Sequence, residues 1–217
     1  VAGKILIGKI EKPVLEDWLG KTRAAQIASD PKALKETITI LKEKITYDCA
    51  EAAYYAENPQ EAISYLNELL KNDNTPYYYD AKFLRALSYR AVKDYQKALA
   101  DYGDVSLAAN MAKSQSTYYK AQCMIGDTYI DTNEYKKALG AFGMMAATDM
   151  DSWNKDEKVK ALALEERAAQ IEWIGYSIYK AALCSQKLGD GNEKSKMAEK
   201  YRTYFPKGKF RSDVDKL

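Results

Sequence analysis

One pattern recurs at a fixed distance along this chain, and it constrains the fold more than any other feature. The run from Ala81 to Tyr89 followed by Lys93 to Tyr102 returns 40 positions later as Ala121 to Tyr129 followed by Asn133 to Phe142. Each copy carries a small residue (Ala86, Gly126), an aromatic three later (Tyr89, Tyr129), a polar turn and a second aromatic (Tyr95, Tyr135). An alanine follows three later (Ala98, Ala138), then an aromatic four beyond it (Tyr102, Phe142). A unit that repeats in this way buries its apolar face by stacking on its neighbours. The spacing predicts two helices per copy: the small residues let the backbones approach and the aromatics fill the gaps beside them. Asp94 and Asn133 are placed to cap the second helices. Composition agrees, because 11 Gly and 5 Pro in 217 residues leave too little punctuation for many short strands.

The same arrangement is traceable on both sides. Upstream, Asp30-Pro31 is a cap followed by a proline, and Leu34, Ile38, Leu41 and Ile45 continue one apolar face, so an extended first helix is expected. Asn58-Pro59-Gln60-Glu61 predicts a second start with a capping box, ahead of Ala62, Leu66 and Leu69; Asn72 to Pro76 reads as a loop. Downstream, Tyr179 to Asp190 predicts the first helix of a fourth unit, and Met197, Ala198, Tyr201, Tyr204 and Phe205 share a face of its second helix before Pro206. Between units three and four, Asp149 to Trp153 reads as a loop and residues 155–173 as an inserted or extended helix. Residues 1–29, with Ile5, Ile7 and Ile10 alternating, fit no unit and are expected to form a separate N-terminal arm.

Several classes of function are excluded on chemical grounds. The chain has no histidine, which removes imidazole metal sites and His-activated nucleophiles. Its 33 basic and 31 acidic residues are interspersed, against a nucleic-acid surface. No uninterrupted apolar run approaches the ~20 residues of a membrane-spanning helix. Cys49, Cys123 and Cys184 are far apart and sit among apolar residues, as small buried hydrophobes do. Asp149 to Asn154 begins like a calcium loop but places Trp153 where an oxygen ligand is needed. Glu165-Glu166, and Asp127 with Asp131, read as solvated helix faces. No catalytic residue, metal or cofactor is expected.

Residues 79–147 resemble tetratricopeptide repeats, which carry this succession of small and aromatic residues in helical hairpins of about 34 residues. Residues 43–75 and 175–207 resemble them less closely. The resemblance implies an all-α, right-handed solenoid over residues 30–217, with units at about 43–75, 79–112, 119–150 and 175–207. Alanine spacings of 36 (Ala62 to Ala98) and 40 (Ala98 to Ala138) imply longer loops between units than the family norm. In such solenoids the first helices line a concave groove, and carrying the groove positions over gives Lys44, Tyr47, Glu51, Tyr54 and Tyr55 in unit one. Unit two gives Asp80, Phe83, Leu87 and Arg90; unit three Asp127 and Asp131; unit four Tyr176 and Tyr179. Tyr47 and Glu51 stand where a clamp for acidic tails needs Lys and Asn, so a peptide with apolar anchors is expected instead. The implied function is a non-catalytic scaffold that binds another polypeptide, with self-association left open. The alternative is a small-molecule or glycan module using a tyrosine-rich pocket beside residues 155–173. The segment from Tyr204 to Phe210 resembles repeat endings of bacterial envelope proteins of this family, which implies the periplasm or cell envelope, with the cytoplasm as the alternative.

Overall fold

The computed structural model describes Gly20 and residues 30–217, so the arm expected over 1–29 lies outside the described residues apart from Gly20. The regular structure among them is helical: α1 (Pro31–Tyr55), α2 (Pro59–Leu69), α3 (Tyr78–Ala91), α4 (Tyr95–Met111), α5 (Gln115–Asp131) and α6 (Tyr135–Ala146). There follow α7 (Met150–Lys155), α8 (Glu157–Lys160), α9 (Leu164–Leu188), α10 (Gly191–Tyr204) and α11 (Arg211–Val214). They form two compact units, one ending at Val92 and the other beginning at Lys93.

In the first unit α2 packs against both α1 and α3. Asp30 starts α1 as expected, its carboxylate accepting from the N–H groups of Lys32 at 2.9 Å and Ala33 at 3.3 Å. At the head of α2 the capping box closes differently: the Asn58 amide donates to the Glu61 carboxylate and makes no side-chain bond to the helix backbone. Ala50, Leu66, Leu69, Ala81 and Leu84 form the core, with small residues at Ala50 and Ala81 bringing the helices close.

In the second unit α4, α5 and α6 pack in succession, α9 lies against both α5 and α6, and α10 packs on α9. Phe142, Met145, Ile174, Ile178 and Tyr201 are almost wholly buried at the centre. Each contributes roughly 1.5–3 kcal/mol by leaving water. The repeat's small residue explains itself at Gly126, where an added Cβ would lie 2.7 Å from Phe142 Cε1. The aromatic occupies the space a side chain would need.

The turns repeat as faithfully as the helices. Glu57, Lys93, Lys113 and Asn133 all have positive φ, between 57° and 63°, and Gly189 stands at 77°. Around four of these residues the same long backbone bond closes the turn: Asn58 N–H to Ala53 O, Ser114 to Ala109, Glu134 to Tyr129 and Asp190 to Ser185. Asn133 is therefore a left-handed turn residue rather than the cap, and Glu134 takes the cap position of α6. Asp94 does cap α4, accepting from Lys97 N–H.

Two expectations about segment lengths fail for physical reasons. The 40-residue spacing is not absorbed by a loop between α4 and α5, which are joined by Ala112, Lys113 and Ser114 alone; both helices run 17 residues instead. Residues 155–173 are not one inserted helix either; of the two readings the extended one holds, from Leu164 onward. Asp149 caps the short α7 and Asp156 caps α8, and α9 then runs unbroken for 25 residues from Leu164 to Leu188. Helix α9 continues through Gly175 because Phe205 fills the space beside it, 2.9 Å from where a Cβ would stand.

Candidate functional site

The expected groove residues fall into two sets, one in each unit. In the first unit, Tyr47, Glu51, Tyr54 and Tyr55 lie at helical spacing on α1, and Asp80, Phe83, Leu87 and Arg90 on α3. Tyr47 reaches α3 through Tyr77, the two rings stacked at 5.6 Å and 19°. Tyr54 and Leu87 rest half-buried on the core, while Tyr55, 74% exposed, meets Tyr54 edge-on at 5.6 Å. Phe83 and Arg90 are half-buried on the same helix.

Carboxylates act on Tyr47. Burial raises the Tyr47 hydroxyl to about 12, and the carboxylates of Asp80 and Glu51 push it the same way. Lys44, the nearby cation, is bonded to Asp48, which raises its pKa. Glu51 and Asp80 form no ion pair with any described residue.

The second set has a different fate. Asp127 is 5% exposed, accepts a hydrogen bond from the Tyr176 hydroxyl and pairs with Lys180 at 2.9 Å. The Lys180 ammonium also lies 5.1 Å from the centre of the Tyr176 ring. Phe210 covers both tyrosines, stacked on Tyr179 at 4.9 Å and edge-on to Tyr176 at 5.3 Å. Phe210 is itself held by its N–H to the Tyr201 hydroxyl at 2.9 Å. Asp127 is thus no solvated carboxylate, because α9 brings a lysine and a tyrosine onto it from some 50 residues away. Asp131, at the end of α5, is exposed.

Glu166 needs a similar correction. Its carboxylate accepts from the Ser116 N–H at 3.0 Å and from the Ser116 hydroxyl, with Gln170 donating to it at 2.9 Å. These bonds hold its pKa down against the opposing effect of burial. A residue of α9 thereby serves as the N-terminal cap of α5. The pairs 116–166, 123–177 and 127–180 advance together, so the two helices run parallel, as first helices of successive hairpins do. Among them, Cys123 faces Ser177 at 3.3 Å, and burial pushes the Cys123 thiol to about 12 and that of Cys184 to about 11. Both stay protonated at neutral pH and are inert as nucleophiles.

The tyrosine-rich region beside α9 is filled by its own aromatic contacts, with Trp173, Tyr176 and Phe210 edge to ring. Among the described residues no group of three or more His, Cys, Asp or Glu side chains is placed to hold a metal ion. No described helix is long and apolar enough to cross a membrane.

The structure is similar to the crystal structure of PilW, described as a widely conserved type IV pilus biogenesis factor, with a TM-score of 0.57 over 98% of this chain and 82% of that one. The fold is a tetratricopeptide-like helical repeat. Sequence identity to PilW is 12%, so the likeness is one of fold. No protein-family model and no curated protein sequence matches the chain.

Proposed function

We propose that this chain is a non-catalytic tetratricopeptide scaffold, spanning residues 30–217, that holds another polypeptide in a bacterial cell-envelope assembly. The binding site is the α1/α3 face: Tyr47, Glu51, Tyr54 and Tyr55 with Phe83, Leu87 and Arg90. The observation that carries this reading is the exposure of Tyr55 beside half-buried Tyr54 and Leu87. Such a face offers rigid aromatic area at low entropy cost. Asp127, Tyr176 and Tyr179 are internal supports in this reading. The likeness to PilW supports an assembly role, since that protein is a pilus biogenesis factor. A photo-crosslinking residue at Tyr55 tests the site in the native source. Partner adducts are expected there and not at Leu188, in the second unit; adducts at Leu188 alone would overturn the assignment.

A further inference from the structure

The loop leading into α3 and the first turn of that helix border a hollow of about 600 Å³, lined by Asp73, Asn74, Tyr78, Tyr79 and Asp80. That volume is in the range of small-molecule sites. We propose that this hollow binds a neutral saccharide, its ring stacked on Tyr79 and its hydroxyls held by Asp80 and Asn74. The site is independent of the polypeptide face proposed on α1 and α3, none of whose residues lines the hollow.

The walls are set before a ligand arrives. Thr75, 4% exposed, donates to Glu43 of α1 at 2.9 Å, and the Asn72 amide donates to the other oxygen of the same carboxylate at 2.6 Å. The Asn74 N–H closes back on the Asn72 side chain at 3.1 Å, and the Tyr78 N–H on the Thr75 carbonyl at 3.1 Å. A loop held in this way loses little entropy on binding. The rings of Tyr78 and Tyr79 cross at 88° with centroids 5.3 Å apart, so they offer two aromatic surfaces at right angles. The Lys82 ammonium sits 5.0 Å from the centre of the Tyr78 ring, which leaves Tyr79, 51% exposed, as the open platform.

The polar groups decide the class of ligand. Asp80 forms no ion pair with any described residue, and Asp73 accepts from the Asn74 amide at 2.8 Å, so both offer acceptor oxygens. Donors stand beside them: the N–H groups of Tyr79 and Asp80, in the first turn of α3 where no side chain caps the helix, have no acceptor among the described residues. The other charges of the loop, Glu43 and the pair of Lys71 with Glu68, are already bonded. A hydroxyl donates and accepts at once, so adjacent hydroxyls of one sugar satisfy a carboxylate and an N–H together. An anion would meet two carboxylates, and a cation would face the N–H donors and Lys82. An apolar ligand would strip water from donors and acceptors alike without replacing its hydrogen bonds. The C–H face of a pyranose instead stacks on a tyrosine ring, whose face carries negative charge density.

The test is an NMR titration of the 15N-labelled chain with cellobiose, maltose, lactose and N,N′-diacetylchitobiose, with glucuronic acid and tetraethylene glycol as controls. At least one disaccharide is expected to shift the amides of residues 73–80 saturably at millimolar concentration, and neither control should. Tyr79→Ala and Asp80→Ala should each weaken that sugar about tenfold, the loss of one well-made contact, while amides elsewhere keep their positions. Tyr55→Ala, on the polypeptide face, should leave the affinity unchanged, so that failure of this site and failure of that face are read separately. No shift from any of the four sugars would overturn the site. Shifts that survive Tyr79→Ala, or that tetraethylene glycol reproduces, would overturn it too, and tighter binding of glucuronate would overturn the preference for a neutral ligand.

Discussion

The α1/α3 face and the α5/α9 face begin from the same repeat positions and end in opposite states. On the first, Glu51 and Asp80 form no ion pair with any described residue and Tyr55 is exposed. On the second, Asp127 accepts a hydrogen bond from Tyr176 and pairs with Lys180, and Phe210 lies over the tyrosines. A repeat position thus defines where a side chain points, and neighbours from distant sequence decide whether it stays open to solvent or holds the fold together.

The largest expected effect tests whether the two units are also independent in stability. Gly126→Val would drive its side chain into the buried Phe142 ring, and overpacking of this kind costs about 1–3 kcal/mol. Amide protection should fall across residues 93–217 and hold in 44–91; uniform loss would mean that the units unfold as one.

Breaking the closed face comes next. Asp127→Ala leaves Lys180, whose side chain is 19% exposed, beside Tyr176 without its counter-charge, at a cost of about 2 kcal/mol after allowing for that exposure. Urea denaturation should show the loss, and adding Lys180→Met should restore most of it. No restoration would mean that Asp127 acts through something other than this pair.

A smaller loss is expected from Glu166→Ala, which removes the cap on α5 at a cost of about 1 kcal/mol. Exchange should quicken in residues 115–119, whereas Tyr55 crosslinking on the open face should be unchanged. The smallest effect is a gain: Glu57→Gly relieves a left-handed turn residue at φ 59° and should stabilise the first unit by about 0.5–1 kcal/mol in thermal unfolding. Binding on the open face should again be unaffected.

The helical hairpins were legible because small and aromatic residues at fixed spacing leave few other ways to bury an apolar stripe. Asp30 and Asp94 were legible as caps because that chemistry is local. Asp127 and Glu166 were not, since their partners arrive from helices about 50 positions away and a carboxylate on a helix carries no local sign of burial. The packing at Gly175 carries no local sign either, for its filler, Phe205, lies 30 residues downstream. The spacing between units set the total length between repeats correctly, but it did not divide that length between loop and helix.

The left-handed turns carry one more consequence. Glu57, Lys93, Lys113 and Asn133 share a left-handed φ and no side-chain chemistry, so the bend is specified by torsion angles and, at Glu57, Lys113 and Asn133, by the backbone bond that closes it. The turns are therefore interchangeable parts. Replacing Thr132-Asn133-Glu134 by Ala-Lys-Ser should preserve the angle at which α6 leaves α5, which frees the surface of each bend to diverge while the hairpins keep their register.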